Sequence, residues 1–152
     1  MARYLWLSAL CVVLDQATKV WAESALQLYE RIAIWPFFNL TLVYNQGAAF
    51  SFLGDASGWQ RWLFVVLAVI ISVVLIVWLL RLKPGEGLVA IALSLVIGGA
   101  IGNLIDRLIY GHVIDFLDFY WQDWHWPAFN IADSCISVGV VFLLADSLLA
   151  KK

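Results

Sequence analysis

Four long apolar segments alternate with more polar connections along the 152-residue chain. They are residues 4–22, 62–80, 88–105 and 134–150. Each is close to the roughly 20 residues that a helix needs to cross a bilayer. Few charged residues fall inside them, notably Asp15 and Lys19 in the first. The pattern predicts an all-α membrane protein with four transmembrane helices.

The first segment has an alternative interpretation, a cleaved signal peptide. A signal peptide has an unbroken apolar region followed by a cleavage site of small residues. Asp15 and Lys19 interrupt the apolar run, and no such site appears before Glu23. The sequence therefore favours a spanning helix that stays in the protein.

The connection between helices 1 and 2 carries a strand pattern. Apolar and polar residues alternate over 38–44, Asn45-Gln46-Gly47 interrupts the run, and apolar residues resume at 49–52. This arrangement is typical of a β-hairpin. It predicts a small β-rich periplasmic element that cradles an extended peptide. An interfacial aromatic belt is the alternative use of the tryptophans in this connection, Trp35, Trp59 and Trp62.

The lysines and arginines near the helix ends predict the orientation. Five fall on one side of the membrane: Arg3, Arg81, Lys83, Lys151 and Lys152. Three fall on the other: Arg31, Arg61 and Arg107. Because cytoplasmic ends carry the excess of positive charge, both termini are expected in the cytoplasm of a bacterial cell. The connections 27–61 and 106–132 then lie at the periplasmic face of the inner membrane.

The composition agrees with a membrane protein, with 64% hydrophobic and 13% charged residues. At this length we expect one integral-membrane domain over residues 1–152. The formal charge of −2 does not suggest a nucleic-acid partner. Cys11 and Cys135 lie in apolar runs without CxxC spacing, so we interpret them as small core residues.

Two carboxylates between the third and fourth segments are the candidates for chemistry. Asp115 lies in the sequence His-Val-Ile-Asp-Phe, and Asp133 in Phe-Asn-Ile-Ala-Asp. Each is flanked by apolar residues, which is a costly position for an ionised group and indicates a chemical role.

Other polar residues are predicted to lie at the same depth. Asp15 is about 18 Å along the first helix from Arg3 at ~1.5 Å per residue, past the middle of a ~30 Å hydrocarbon core. Asp15 and Lys19 are one helical turn apart and can form an ion pair. The other members of this outer layer are Asn103, Asp106, Arg107, Asn130 and the two candidate carboxylates. Ionisable groups in spanning helices usually face the interior, so a functional site is the default hypothesis.

Purely structural interpretations compete with this hypothesis. Asn130 and Asp133 have the spacing of a helix-capping pair. Gly98 and Gly102 form a GxxxG pattern that permits close helix contact. The loop aspartates, Asp118 and Asp123, are interpreted as solvated charges. His112 and His125 lack ordered ligand spacing, so no metal and no cofactor is expected.

The chemistry most compatible with the pattern is hydrolysis by paired carboxylates. Neither cysteine has a base beside it, and no GxSxG signature is present. Two neighbouring carboxylates can share one proton, so that one activates water while the other donates a proton. A proton or ion carrier is the alternative, with a relay of intramembrane carboxylates. A relay needs polar residues spread across the bilayer, whereas these gather in one layer.

Five ordered motifs resemble bacterial lipoprotein signal peptidase, also called signal peptidase II. They are Asp15-Gln16-Ala17-Thr18-Lys19, Asn45-Gln46-Gly47-Ala48-Ala49-Phe50, Gly102-Asn103-Leu104-Ile105-Asp106-Arg107, Val113-Ile114-Asp115-Phe116 and Phe129-Asn130-Ile131-Ala132-Asp133. The resemblance covers almost the whole chain, and no motif departs from the family pattern.

The resemblance implies an aspartic endopeptidase of the inner membrane. Such an enzyme removes the signal peptide from diacylglyceryl-modified prolipoproteins by cutting before the lipidated cysteine, and it is the target of globomycin-type inhibitors. The family's catalytic aspartates fall on Asp115 and Asp133. Its supporting residues fall on Asp15, Lys19, Asn45, Gly47, Asn103, Arg107 and Asn130, and we expect Asp106 to help hold the site.

Overall fold

The computed structural model describes residues 1–47 and 58–149. After a 3-10 turn at Ala2–Tyr4, it contains four helices: α1 Leu5–Ala25, α2 Trp59–Arg81, α3 Gly87–Ile109 and α4 Ile131–Leu149. Helix α3 lies at the centre because it packs against α1, α2 and α4. The long apolar runs of the sequence thus form helices that surround α3.

Three helices in the described part of the chain are long and apolar enough to cross a membrane, namely α2, α3 and α4. Helix α1 has 21 residues but contains Asp15, Lys19 and Glu23, and it is outside this set. Three of the four predicted spans are therefore confirmed by length and composition. The fourth span, in α1, stays a prediction.

Glycines allow α1 to approach α3 closely, as the GxxxG pattern predicted. A Cβ atom on Gly98 would lie 2.7 Å from the Cβ of Cys11, and one on Gly102 would lie 2.6 Å from Oδ2 of Asp15. Both distances are too short for real side chains, so larger residues would force the helices apart. Gly102 therefore gives the Asp15 carboxylate room against α3.

Beyond the helices, the described residues form a four-stranded antiparallel sheet with the order β1-β2-β3-β4. The strands are β1 Arg31–Trp35, β2 Phe38–Asn45, β3 Val113–Trp121 and β4 Trp124–His125. Strands β1 and β2 follow α1, whereas β3 and β4 follow α3. The sheet thus joins the two long connections of the chain.

The strand prediction for the first connection is correct in part. Strand β2 covers the alternating residues 38–44, but its partners in the described residues are β1 and β3. The hairpin that the structure contains joins β1 to β2, and its turn lies at Pro36 and Phe37, where Phe37 has a φ of 73°. The expected return strand at 49–52 lies outside the described residues. The prediction also missed that β3 completes the element, because alternation within one segment does not reveal a partner far along the chain.

An apolar core fastens the sheet to the helices. It consists of Ala22 and Leu26 at the end of α1, Leu42 on β2, and Ile114 and Phe116 on β3. A second core lies around the α2–α3 loop and includes Leu79, Leu82 and Leu93. The first core holds the start of β3 against the end of α1, which brings the predicted polar residues together.

Candidate functional site

Asp115 enters the site on β3, directly after α3. Helix α3 ends at Ile109, and Gly111 takes a φ of 83°, which turns the chain into the strand. Asp115 is buried, with only 2% of its surface exposed. Its Oδ1 accepts a hydrogen bond from Nδ2 of Asn130 at 2.7 Å, and its Oδ2 accepts one from Nδ2 of Asn45 at 3.0 Å.

The charge state of Asp115 is strongly perturbed. Burial is the main cause, and the nearby charge of Asp133 adds to it, so that the pKa of Asp115 rises to about 7. Hydrogen bonds from Asn45 and Asn130 and the charge of Lys19 oppose this rise. Asp115 therefore exchanges its proton near neutral pH, which suits a general acid or base.

Asp133 lies in the first turn of α4, where a capping pair fixes it. The backbone N–H of Asp133 donates to Oδ1 of Asn130 at 2.9 Å, and Oδ2 of Asp133 accepts from the N–H of Asn130 at 3.3 Å. This reciprocal pattern is the capping pair that the spacing predicted. Oδ1 of Asp133 also accepts a hydrogen bond from Nδ2 of Asn103 at 2.7 Å.

Asn130 connects the two carboxylates. It is fully buried, and it binds the side chain of Asp115 and the backbone of Asp133 at once. Asn103 adds a second link, since its Oδ1 accepts from Nδ2 of Asn130 at 3.2 Å while its own amide binds Asp133. Two asparagines therefore set the position of both carboxylates.

A buried ionic cluster lies behind this pair. Nζ of Lys19 is 2.8 Å from Oδ2 of Asp15 and 2.8 Å from Oδ2 of Asp106, and it donates to Oδ1 of Asn103 at 3.0 Å. The three hydrogens of the ammonium group thus have three acceptors. The predicted pair of Asp15 and Lys19 is present, and Asp106 joins it rather than the carboxylate pair.

Two members of the cluster also bind backbone groups of neighbouring elements. Oδ1 of Asp15 accepts from the N–H of Ala132 at 2.9 Å, and Oδ2 of Asp106 accepts from the N–H of Ile114 at 3.2 Å. Ala132 precedes Asp133 and Ile114 precedes Asp115. The cluster therefore holds the backbone next to each candidate carboxylate.

Arg107 links the site to the first connection. Its guanidinium donates to the carbonyl of Gly47 at 2.9 Å and to the carbonyl of Asn103 at 3.4 Å. Gly47 in turn donates its N–H to Oδ1 of Asn45 at 3.0 Å, which orients the Asn45 amide toward Asp115. All ten residues predicted for the site therefore belong to one connected group.

Asp133 lines a cleft of about 750 Å³, and Asp115 lies behind it, joined to the lining residue Asn45. Its polar lining includes Asn45, Asn103, Arg107 and Asp133. Its apolar lining comes from α2, α3 and α4, with residues such as Phe64, Leu67, Val96, Ile136 and Val138. A ligand with a long apolar part and a polar head would match this distribution.

Sequence reasoning missed several residues of the site. Nε2 of Gln16 donates to Oδ1 of Asp106 at 2.8 Å, yet Gln16 adjoins Asp15 and helical spacing alone does not place both toward α3. The segment Trp126 to Phe129 also lines the cleft, and the sequence pattern did not predict this position. Its position depends on pairing with β3, which local periodicity does not reveal.

One structural interpretation of the sequence was wrong. Asp118 is not a solvated loop charge: it lies on β3 and is only 3% exposed. It accepts from Nδ2 of Asn39 at 2.9 Å and lies 2.9 Å from Nδ1 of His125. The ring of His112 contacts that of Tyr44, with 4.1 Å between the centroids and 31° between the ring planes, and burial lowers the pKa of His112. Within residues 1–47 and 58–149, neither histidine forms a hydrogen bond with Asp115 or Asp133.

Comparisons with known proteins identify the family of this chain. A family model described as signal peptidase (SPase) II matches residues 7–149. A lipoprotein signal peptidase of Pseudomonas aeruginosa is 54% identical over 98% of this chain and 89% of its own length. One of Pseudomonas putida is 56% identical, with 98% and 88% covered.

A similar protein from a different genus and a solved structure extend the comparison. The lipoprotein signal peptidase of Alteromonas mediterranea is 51% identical over 95% of this chain and 79% of its own length. A bacterial membrane enzyme structure, determined by the in meso method at 2.3 Å resolution, aligns with a TM-score of 0.89 and 29% identity. That alignment covers 100% of this chain and 91% of the other. The resemblance inferred from the five motifs is thereby confirmed, and this chain belongs to the signal peptidase II family of membrane peptidases.

Proposed function

We propose that this chain is an aspartic endopeptidase that removes the signal peptide from diacylglyceryl-modified prolipoproteins. It cuts before the lipidated cysteine, with Asp115 and Asp133 as the catalytic pair. The observation that carries this proposal is the joining of both carboxylates through Asn130, beside an apolar cleft that Asp133 lines. The names of the relatives support the substrate class.

The two carboxylates are proposed to share one proton at neutral pH. Asp115 holds it, because burial and the charge of Asp133 raise the pKa of Asp115 to about 7. Asp133 is ionised, because it accepts two N–H hydrogen bonds at the start of α4, where the helix dipole favours negative charge. Asp133 is therefore the general base and Asp115 the general acid.

The reaction then follows the pattern of paired carboxylates acting on water. Asp133 takes a proton from water as the water oxygen attacks the scissile carbonyl, and Asp115 gives its proton to the carbonyl oxygen. As the tetrahedral intermediate collapses, the C–N bond breaks. The leaving nitrogen receives the proton held by Asp133, and a hydroxyl of the intermediate returns one to Asp115. The protein ends in its starting protonation state.

The remaining site residues are proposed to position this pair. Asn45, Asn103 and Asn130 fix the carboxylate oxygens through their amides. Lys19 with Asp15 and Asp106 holds the backbone beside each carboxylate. Arg107 and Gly47 keep the end of β2 against α3.

The cleft suits a substrate that is partly lipid. Its apolar walls on α2, α3 and α4 would receive acyl chains or the apolar signal segment, while its polar end receives the scissile bond. Membrane lipids would border the same walls. The cleft is also where we expect globomycin-type inhibitors to bind.

The carrier hypothesis is less compatible with the contacts. The buried carboxylates on helices in the described residues, Asp15 and Asp106, are both bound to Lys19 near one end of the bundle. A relay across the bilayer would need further ionisable groups toward the α2–α3 loop, where the core is made of Leu79, Leu82 and Leu93.

The substrate assignment predicts a strong dependence on lipidation. Purified protein should cleave diacylglyceryl-modified prolipoprotein and leave the unmodified form almost intact, because only the modified form fills the apolar walls. Cleavage is measured by gel shift of the released product, with a detergent-matched sample of unmodified substrate as the control. Equal turnover of the two forms would refute dual recognition of peptide and lipid.

The raised pKa of Asp115 predicts loss of activity at alkaline pH. Asp115 must carry a proton to donate it, so kcat/KM should fall about tenfold for each pH unit above about 7. The raised pKa of Asp115 also favours the folded state at acidic pH, and that contribution is lost as pH rises through about 7. Rates are therefore measured at a temperature that lies below the unfolding midpoint of the protein at every pH. A flat profile between pH 6 and 9 would contradict the assignment of Asp115 as acid.

We propose that the chain forms a single inner-membrane domain with four spanning helices. Both termini are cytoplasmic, and the site lies near the periplasmic face. Met1, Tyr4 and Leu5 pack on the core at the α2–α3 loop, so the N-terminus and that loop share one end of the bundle. Helix α1 exposes apolar side chains such as Trp6, Val13 and Val20, as a lipid-facing helix would. The end of the bundle that contains the N-terminus and the α2–α3 loop also carries Arg3, Arg81 and Lys83.

Reporter fusions test this orientation. A reporter after Lys152 should be active only in its cytoplasmic form, and one inserted within residues 55–58 only in its periplasmic form. Reporters on the same side would rule out four spans, because α2, α3 and α4 all lie between the two reporter sites and three crossings put those sites on opposite sides. A fusion at the α2–α3 loop is the matched cytoplasmic control.

A further inference from the structure

The segment that joins β4 to α4 forms one rim of the cleft. This rim segment, residues 126–129, lines the cleft with all four of its residues. Its other side is bound to β3: the N–H of Trp126 donates to the carbonyl of Phe119 at 2.8 Å, and the N–H of Phe129 donates to the carbonyl of Leu117 at 3.0 Å. The rim segment therefore extends the sheet, with its free edge toward the cleft.

The rim segment contains one more residue than regular pairing requires. Tyr120 pairs with His125, and Leu117 pairs with Phe129, so three steps along β3 face four steps along the return. Such an extra residue is a β-bulge, a feature that redirects backbone groups beside active sites. The bulge falls at Pro127 and Ala128. Phe129 is held in place by stacking on Phe119, with 5.9 Å between centroids.

The bulge leaves one backbone donor without a protein acceptor. Pro127 has no N–H, and Ala128 forms no hydrogen bond with any residue in the part of the chain that the structure describes. Ala128 is half-buried and lines the cleft that also contains Asp133. An N–H in the wall of a cleft that has no protein acceptor is available to a hydrogen-bond acceptor on a ligand.

We infer that the N–H of Ala128 binds a backbone carbonyl of the substrate beside the scissile bond, so that the substrate joins the rim segment as an added strand. This inference rests on the proposed function, because it takes the ligand of the cleft to be a peptide. An extended peptide offers a carbonyl at every residue, whatever its side chains. Main-chain pairing would thus align many different signal peptides on the same carboxylate pair.

Removal of this donor should reduce cleavage modestly and selectively. Ala128→Pro eliminates the N–H at a position that has no positive φ, and prolines are tolerated at bulges and edges. We expect kcat/KM for lipidated peptide to fall about threefold to tenfold, the effect of one neutral hydrogen bond. Ala128→Gly keeps the N–H and removes only the methyl group, so its kcat/KM should fall less than that of Ala128→Pro.

A thioamide scan of the substrate locates the acceptor. Sulfur accepts hydrogen bonds poorly, so one thioamide position next to the scissile bond should slow the wild-type protein about threefold to tenfold and have no effect on Ala128→Pro. If Ala128→Pro does not fold, incorporation of lactic acid at position 128 replaces the N–H with an ester oxygen and gives the same comparison.

The outcomes separate this inference from the proposed function. Wild-type protein that cuts no lipidated peptide would refute the proposed function itself. Wild-type protein that cuts, but with thioamide effects equal in the protein lacking the donor, would refute only the role of Ala128. Equal loss in Ala128→Gly and Ala128→Pro would also refute it, because Ala128→Gly keeps the N–H and its loss of activity could not come from a missing donor.

Discussion

Asp115→Asn and Asp133→Asn are each expected to reduce cleavage of lipidated substrate by roughly a thousandfold or more. Asparagine keeps the size of the side chain but cannot accept or return the proton that each step transfers. The Asp115/Asp133 double variant should be about as slow as either single variant, because the two carboxylates act as one unit. Single-turnover cleavage in detergent or lipid provides the measurement.

Asp106→Asn is the matched control for this experiment. Asp106 is buried like Asp115, but it binds Lys19 and the N–H of Ile114 rather than the carboxylate pair. Its substitution should lower thermal stability more than activity, the reverse of the catalytic variants. EDTA should leave wild-type turnover unchanged, because the proposed steps use only carboxylates and water. Substantial turnover by Asp115→Asn or Asp133→Asn would overturn the mechanism.

Local patterns in the sequence were sufficient for much of the site. The spacing of Asp15 and Lys19 indicated an ion pair, and the spacing of Asn130 and Asp133 indicated a cap; both contacts are present. These interactions join residues within one helical turn, so the geometry of a single helix determines them. Long apolar runs likewise predicted α2, α3 and α4.

Long-range pairing could not be predicted in the same way. Asp118 was interpreted as a solvated loop charge, yet the β2–β3 register places it opposite Asn39. The register of these strands shifts between Leu40 and Val43, and beyond the shift Asp115 lies opposite Val43, where Asn45 reaches its carboxylate. Register depends on side-chain packing between segments about 70 residues apart, as in the Asn45–Asp115 contact, and no periodicity within one segment encodes it.

Lys19→Met should cause the largest loss of stability among single substitutions of the polar layer. Lys19 is 1% exposed, and its ammonium is 2.8 Å from both Asp15 and Asp106. Methionine keeps the length of the side chain but leaves two buried carboxylates facing each other without a counter-charge. Breaking a buried ion pair on one side typically costs about 3–5 kcal/mol. For a chain of this size that corresponds to a fall of roughly 6–20 °C in the unfolding midpoint.

Removing one of the two carboxylates that contact Lys19 should restore part of the stability lost in Lys19→Met. Adding Asp106→Asn to Lys19→Met removes one of the uncompensated carboxylates, so the double variant is expected to unfold at a higher temperature than Lys19→Met alone. Lys83→Met, at an exposed lysine near the start of α3, is the control and should shift the midpoint little. Thermal unfolding in detergent, followed by intrinsic tryptophan fluorescence, measures all four proteins. If Lys19→Met melted at the wild-type temperature, the cluster would contribute no net stability, and its role would be limited to placing Asn103 beside Asp133.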